Sequence, residues 1–168
     1  PTAIELLEMF EVMAELEAIG GKHDGHEYAE QAILAGASAL LVQRELSVSV
    51  PQVVVTDVRV AMGLMSAALR NFPSRQMMVI GVTGTNGKTT TAQLLGNVLS
   101  EHGLNTRVLG TLSGERTTME STDLQRMLAR FVDEGVQAVV MEVTSHAMVL
   151  QRVVGTSFAA AVFTNLSQ

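Results

Sequence analysis

The chain has 168 residues, of which 47% are apolar and 17% are charged. That composition provides a packed core and excludes an intrinsically disordered protein. The net charge of −6 and the lack of a basic run argue against binding of nucleic acid or an anionic membrane surface. With no cysteine, disulfides, thiol catalysis and cysteine-ligated metal centres are excluded. No apolar run approaches the ~20 residues that span a membrane. The acidic first segment is unlike a signal peptide, so we expect a cytoplasmic protein.

The first 75 residues predict a small α/β domain. In chain order, the apolar spacing predicts helices over 4–18 and 26–35, buried strands over 39–42 and 53–55, and a helix over 58–69. Asp57 is the predicted N-cap of the last helix. The proline-containing segment 71–76 is the predicted boundary, giving domains over 1–75 and 76–168.

The second part shows a clearer alternation of strands and helices. The predicted strands cover 77–82, 107–109, 138–141 and 159–163, and the predicted helices cover 88–101 and a segment from Ser121 or Thr122, as the cap, to Glu134. Short, wholly apolar strands separated by helices are typical of a mostly parallel sheet covered on both faces. We therefore expect an α/β fold throughout.

The segment GVTGTNGKTT at 81–90 predicts a phosphate-binding loop. A buried strand precedes it and a helix begins at Lys88, so glycine-rich backbone and a helix N-terminus meet at one point. Lys88 would reach the terminal phosphates and the Thr89 hydroxyl would bind Mg²⁺. Val82 stands where the usual G-x-x-x-x-G-K-[ST] pattern has glycine, so the alternative is an ordinary strand-to-helix turn. The flanking strand, helix and threonines favour nucleotide binding.

Glu142 ends the apolar strand AVVM. An acidic residue at the carboxyl end of a strand beside a phosphate loop is placed to hold Mg²⁺ directly or through water. The alternative is a solvated carboxylate at a strand end. Because the loop is present, the metal role is favoured.

The chain resembles the Mur ligases over residues 22–168. Five segments carry the resemblance: KHDGHEYAEQAILAGASALLV at 22–42, GTNGKTT at 84–90, ERTTMEST at 115–122, MEVTSHAM at 141–148 and AAVFTNLS at 160–167. The match is closest to the members that add the third residue of the peptidoglycan stem peptide. The resemblance implies a small UDP-binding α/β domain followed by a central ATPase domain of the phosphate-loop type.

The same resemblance implies roles for matching residues. ATP phosphates would be bound by Gly84, Thr85, Asn86, Gly87, Lys88, Thr89 and Thr90, with Mg²⁺ on Thr89 and Glu142. Lys88 and Glu142 would be the catalytic residues. The UDP-N-acetylmuramoyl dipeptide would contact Thr117, Thr118, Thr144 and Arg152, and its uridine end would lie near Lys22 and His23. ATP would convert the substrate carboxylate into an acyl phosphate, which the amine of diaminopimelate or lysine attacks.

Family members continue past the position of Gln168 with an Asp-His motif, a carbamylated lysine and an amino-acid-binding domain. We therefore expect the front part of a ligase, which binds its ligands without joining them. Cyanophycin synthetase and folylpolyglutamate synthase, from the same superfamily, are alternatives, and so is a non-catalytic nucleotide-binding module. The segment at 22–42 argues against cyanophycin synthetase, and ERTTMEST argues against folylpolyglutamate synthase.

Overall fold

The computed structural model describes residues 25–112 and 117–167. The helix predicted over 4–18 and the predicted uridine contacts Lys22 and His23 lie outside the described residues. Within them the chain forms a two-stranded and a four-stranded sheet, both parallel. None of the helices in these two ranges is long and apolar enough to cross a membrane.

The first part of the chain builds the smaller sheet. After a 3₁₀ turn at Gly25–Tyr28, its elements are α1 (Ala29–Leu34), β1 (Leu40–Val42), β2 (Gln52–Val54) and α2 (Val58–Leu69). Asp57 caps α2 as predicted, because its Oδ1 accepts a hydrogen bond from the Val60 amide at 3.0 Å. The elements therefore follow the predicted order.

The burial predicted for the second strand was wrong. β1 is buried, but Val53 and Val54 of β2 are 53% and 55% exposed. A run of valines indicates a preference for extended backbone. It does not predict burial, which depends on whether another layer of the protein covers the strand. In the part of the chain that the structure describes, β2 pairs with β1 only.

The second part forms a parallel sheet with helices between its strands. Its elements are β3 (Met78–Thr83), α3 (Lys88–Glu101), β4 (Thr106–Leu109), α4 (Ser121–Asp133), β5 (Ala138–Glu142), α5 (Ser145–Val149) and β6 (Ala160–Phe163). The strand order is β4-β5-β3-β6. β3 therefore lies between β5 and β6, with the loop that follows it at the middle of the sheet edge.

Two apolar layers confirm the predicted covering of both faces. On one face Val79, Val139 and Met141 pack with Leu124 and Leu128 of α4. On the other face Ile80, Val82 and Val140 pack with Ala92 of α3. Because both faces of β3 and β5 are buried, successive residues are apolar rather than alternating.

The two parts of the chain pack against each other through α2. This helix packs against α4, and Gly63 of α2 approaches the 153–155 turn closely. A Cβ atom on Gly63 would lie 2.8 Å from the Val154 carbonyl oxygen, so only glycine fits there without displacement. The two parts of the chain are thus joined by the packing of α2 against α4 and by the close approach of α2 to the 153–155 turn.

Two details of the second part differ from prediction. The N-cap residue of α4 is Glu120, with no side-chain capping bond, while Ser121 and Thr122 are buried in its first turn. The predicted capping role of Ser121 or Thr122 was therefore wrong. The short helix α5 was not predicted; Thr144 begins it by accepting a hydrogen bond from the Ala147 amide at 3.0 Å.

The α4 side of the sheet supplies a test of this packing. Leu128 is fully buried, so Leu128→Ala is expected to lower the free energy of unfolding by about 2–5 kcal/mol. Leu94→Ala makes the same change on an exposed face of α3 and is expected to cost less than about 1 kcal/mol. Urea titrations followed by circular dichroism measure both values. Equal losses in the two variants would contradict the assignment of the core.

Candidate nucleotide-binding site

Three chain segments meet at the carboxyl edge of the larger sheet. The parallel register places Val82 of β3 opposite Glu142 of β5, and Thr83 opposite Phe163 of β6. The loop after β3 therefore lies between the carboxylate that ends β5 and the residues that follow β6. In open parallel sheets this edge is where ligands bind.

Two glycines give the loop its shape. Gly84 has a φ of +132° and Gly87 a φ of +81°, values that side-chain-bearing residues rarely adopt. A Cβ atom on Gly84 would also overlap the hydroxyl of Thr164. Gly87 is the N-cap residue of α3, so the helix begins at Lys88 as predicted. Both glycines are therefore required by the backbone path.

The amides of the loop fall into two groups. The Thr85 amide donates to the Asn165 carbonyl at 2.9 Å, and the Asn86 amide donates to Asn165 Oδ1 at 3.1 Å. The next four amides, those of residues 87–90, have no hydrogen-bond partner among residues 25–112 and 117–167. Four unpaired donors at a helix N-terminus form an anion-binding site. The amides available to a phosphate are thus those of 87–90, and not those of Thr85 and Asn86.

Lys88 adds a positive charge to this site. Its Nζ donates to the Gly84 carbonyl at 2.7 Å and to the Thr85 carbonyl at 3.2 Å. The ammonium group therefore lies over the loop instead of extending into solvent. A cation beside unpaired amides raises the attraction for a polyphosphate.

Glu142 is a buried carboxylate that contacts the first turn of α3. It is 2% exposed; its Oε2 accepts from the Thr89 hydroxyl at 2.9 Å and its Oε1 from the Thr111 amide at 2.9 Å. A methyl group on Gly110 would overlap this carboxylate. The alternative interpretation of a solvated strand-end carboxylate does not hold.

The donor set around Glu142 fits a magnesium ion. Among the described residues, no lysine or arginine forms a salt bridge with this carboxylate. The same ranges hold no group of three or more His, Cys, Asp or Glu that could bind a metal. A threonine hydroxyl next to a single carboxylate matches the way Mg²⁺ is held beside a nucleotide, where phosphate oxygens and water complete its shell.

The residues predicted to contact the muramoyl substrate surround the end of β5. Thr118 is 3% exposed, and its hydroxyl donates to the Glu142 carbonyl at 3.1 Å and accepts from the Thr144 amide at 3.2 Å. The Thr117 hydroxyl lies 3.1 Å from that of Thr111. Arg152 forms an ion pair with Glu120 at 2.7 Å, and its Nε is buried with no hydrogen-bond partner in the described part of the chain.

Sequence reasoning missed the segment that holds the loop in place. The Asn165 side chain accepts from the Asn86 amide and donates to the Asn86 carbonyl at 3.1 Å, and the Thr164 hydroxyl donates to the same carbonyl at 2.6 Å. Both residues belong to AAVFTNLS, which was used only for its resemblance. The position of this asparagine directly after a strand could have indicated a side chain that hydrogen-bonds to the backbone of a neighbouring loop.

The pairing of the loop amides can be tested by hydrogen exchange. Asn165→Ala removes the acceptor of the Asn86 amide, so that amide is expected to exchange at least about tenfold faster. Ser167→Ala, which removes only an exposed hydroxyl contact with the Asn86 side chain, is the control and leaves the rate unchanged. Nuclear magnetic resonance resolves single amides. Equal rates in the two variants would show that Asn165 does not hold the loop.

The chain is similar to a known family of proteins over its second part. The family described as the Mur ligase middle domain matches residues 82–168. The UDP-N-acetylmuramoyl-L-alanyl-D-glutamate--2,6-diaminopimelate ligase of Geobacillus kaustophilus is 46% identical over 154 residues, covering 86% of this chain and 32% of the relative. The enzyme of the same name from Chlorobium phaeobacteroides is 43% identical over 161 residues, covering 88% and 31%. The chain thus spans about a third of the length of these relatives.

Solved structures give the same result. A ligase of that name superposes with a TM-score of 0.74 at 30% identity, over 86% of this chain and 31% of its own. A MurF ligase from Acinetobacter baumannii superposes with a TM-score of 0.52 at 31% identity, over 75% and 26%. MurF from Thermotoga maritima, solved in complex with ADP, shares the fold with a TM-score of 0.59 at 22% identity, over 87% and 33%.

Proposed function

Because this chain belongs to the Mur ligase family, we propose that it is the UDP-muramoyl- and ATP-binding part of a ligase of peptidoglycan synthesis. The ligase adds the third amino acid to UDP-N-acetylmuramoyl-L-alanyl-D-glutamate. Its curated relatives carry diaminopimelate in their names, which favours that amino acid over lysine. In this proposal residues 1–75 receive the uridine end of the substrate, through Lys22 and His23, and residues 76–168 receive ATP.

One observation supports ATP binding above the others. Among residues 25–112 and 117–167 the amides of 87–90 have no partner, while the Thr85 and Asn86 amides bond to Asn165, so the donors at the start of α3 remain for phosphate oxygens. These amides and Lys88 would hold the phosphates. Thr89 and Glu142 would hold Mg²⁺, which would neutralise part of the phosphate charge. Gly84 and Gly87 shape the loop, and Thr85 and Asn86 fix it to the residues after β6.

The proposed ligation depends on positioning ATP and the substrate carboxylate, and it requires no nucleophile from the protein. A carboxylate resists attack by an amine at neutral pH, and ATP supplies the phosphoryl group that converts it into an acyl phosphate. The residues here would orient the phosphates, neutralise their charge through Lys88 and keep the substrate carboxylate beside them. Thr117, Thr144 and Arg152 lie around the end of β5, where they would orient that substrate.

Replacement of Lys88 tests ATP binding independently of substrate binding. Lys88→Ala is expected to weaken ATP binding at least about tenfold, since it removes a charge-assisted contact with phosphate. Binding of the UDP-N-acetylmuramoyl dipeptide is expected to stay unchanged. Arg126→Ala, which removes one positive charge from the exposed Asp123 pair on α4, is the matched control. Calorimetric titrations of the 168-residue chain measure both ligands.

Two outcomes of that titration would overturn the proposal. Equal ATP affinity in Lys88→Ala and Arg126→Ala would mean that the loop does not bind the phosphates. Binding of ATP without any binding of the muramoyl dipeptide would favour a nucleotide-binding module with no ligase substrate. The second result would leave the phosphate loop intact and remove only the ligase assignment.

The metal role of Thr89 has its own test. Thr89→Val removes the hydroxyl that contacts Glu142, so the gain in ATP affinity on adding Mg²⁺ is expected to fall at least about tenfold. Thr89→Ser keeps the hydroxyl and is expected to retain the gain. Titrations with Mg²⁺ and with EDTA give the difference. A Thr89→Val chain that keeps its full Mg²⁺ response would refute the assignment of Thr89 as a metal ligand.

A further inference from the structure

We propose that Gly63 of α2 is a positioning residue for Arg152, so that the first part of the chain helps to orient a side chain in the second. This inference rests on the proposed function, in which Arg152 contacts the UDP-N-acetylmuramoyl dipeptide. Gly63 itself touches no ligand. It acts through the turn that follows α5, residues 150–155, which carries Arg152.

Gly63 lies in the middle of α2, where glycine is an unfavourable residue. Glycine loses more conformational entropy in a helix than alanine does, so a glycine inside a helix usually has a packing reason. The reason here is the close approach of two backbones. A Cβ atom on Gly63 would lie 2.8 Å from the Val154 carbonyl oxygen and 3.1 Å from Val154 Cβ. Alanine at this position would therefore displace either α2 or the 150–155 turn.

The contact is reciprocal, because the turn also presents a glycine to α2. Gly155 has a φ of +83°, which favours glycine on its own. A Cβ atom on Gly155 would lie 2.5 Å from the Gly63 carbonyl oxygen and 2.9 Å from Cβ of the fully buried Ala67. Glycine on both sides thus sets the distance between α2 and the turn.

Of these two partners, α2 is held more firmly. Its buried residues Val58 and Met62 pack with Leu41 of β1, and the helix also packs against α4. The 150–155 turn is only partly buried. A methyl group added at Gly63 is therefore expected to displace the turn more than the helix.

Arg152 follows a residue with an unusual backbone conformation. Gln151 has a φ of +58°, in the left-handed region that residues with side chains rarely adopt. Such a conformation persists where the surrounding contacts determine it. The Arg152 amide donates to the Ala147 carbonyl at 2.9 Å. The Val154 amide donates to the Gln151 carbonyl at 3.2 Å, which connects the residue that contacts α2 to the backbone that carries Arg152.

Two further contacts fix the chain directly after the turn. Gln125 of α4 donates from Nε2 to the Thr156 hydroxyl at 2.9 Å. The Ser157 amide donates at 2.9 Å to the hydroxyl of Ser74, which is buried and lies between the two parts of the chain. Because the chain is held here, we expect a displacement of the turn to be taken up on its other side, where Arg152 lies.

The function proposed for Arg152 depends on the orientation of its guanidinium group. Nη2 pairs with Glu120 at 2.7 Å, and Nη1 donates to the Thr118 carbonyl at 3.4 Å. Each terminal nitrogen carries two N–H donors, and these contacts use one on each. A planar guanidinium binds an anionic group well when its remaining donors point at the oxygens, so a displaced turn would weaken the substrate contact. The phosphate loop is fixed instead by residues after β6, so ATP binding is expected to stay unchanged.

The test combines Gly63→Ala with Arg152→Ala in a double-mutant cycle on the 168-residue chain. Gly63→Ala alone is expected to weaken binding of the UDP-N-acetylmuramoyl dipeptide at least about tenfold and to leave ATP affinity unchanged. In a chain that already carries Arg152→Ala, the same change is expected to cause little further loss, because the residue through which Gly63 acts is gone. Leu64→Ala, on the exposed side of α2, is the control and keeps both affinities. Calorimetry measures each affinity, and circular dichroism confirms folding.

Two results would overturn the positioning role. Unchanged dipeptide affinity in Gly63→Ala would show that Arg152 does not depend on this contact. A tenfold loss that recurs in the Arg152→Ala chain would show that Gly63 acts independently of Arg152. Failure of the proposed function gives a different result, since the unaltered chain would then bind no dipeptide, or Arg152→Ala would bind it as tightly as the unaltered chain.

Where Gly63→Ala does not fold, Ala67→Gly takes its place. This change loosens the same contact by removing a methyl group beside Gly155 instead of adding one. Dipeptide affinity is expected to fall at least about threefold, and only while Arg152 is present. Full affinity in Ala67→Gly would count against the dependence of Arg152 on α2.

Discussion

The site depends on the parallel register that sets Val82 beside Glu142. This pairing brings a carboxylate from the end of β5 to within 2.9 Å of the Thr89 hydroxyl, 53 residues away along the chain. A buried carboxylate is unfavourable unless its oxygens are bonded. Both oxygens are bonded here, one to a hydroxyl and one to an amide. The same hydrogen bonds that make burial of the carboxylate tolerable therefore fix its negative charge beside the Thr89 hydroxyl, and in the proposed function these two groups would hold a divalent cation.

Different residues of the loop fix its conformation and offer hydrogen-bond donors. Thr85 and Asn86 fix the loop, and the amides of 87–90 are the donors. Asn165 pairs with the main chain of Asn86 through both ends of its amide side chain. The loop is therefore held by hydrogen bonds to the segment that follows β6. The amides of 87–90 have no partner within the described ranges, because the first amides of a helix lie beyond its own hydrogen-bond ladder. Such preorganisation lowers the entropy cost of binding a polyphosphate.

Most helices and strands were predicted from local sequence signals. The features that were missed depend on contacts between residues that are distant along the chain. The bounds of α3 followed from Gly87 and Gly103 on either side, and the cap of α2 followed from Asp57. Strand order and the exposure of Val53 depend on neighbours that no local pattern encodes. The loop residues and Glu142 were predicted as a site because glycine, lysine and a strand-end acid follow one another in an order that phosphate chemistry requires, and the structure places the Glu142 carboxylate against Thr89 at the end of that loop. Asn165, by contrast, lies 79 residues from its partner Asn86.

Two threonine hydroxyls bond to Glu142 at the end of β5: that of Thr89 donates to its carboxylate and that of Thr118 donates to its carbonyl oxygen. Thr111 and Thr144 contribute backbone amides, which donate to Glu142 Oε1 and to the Thr118 hydroxyl. The branched Cβ restricts χ1, so a threonine hydroxyl is held in place with less loss of conformational entropy than a longer polar side chain would suffer. Its methyl group can pack against the apolar strands while the hydroxyl bonds. Phosphoryl transfer in general depends mainly on positioning and on fixed charges and donors. In the proposed function, fixed hydroxyl groups around one buried carboxylate would meet that requirement without a reactive side chain.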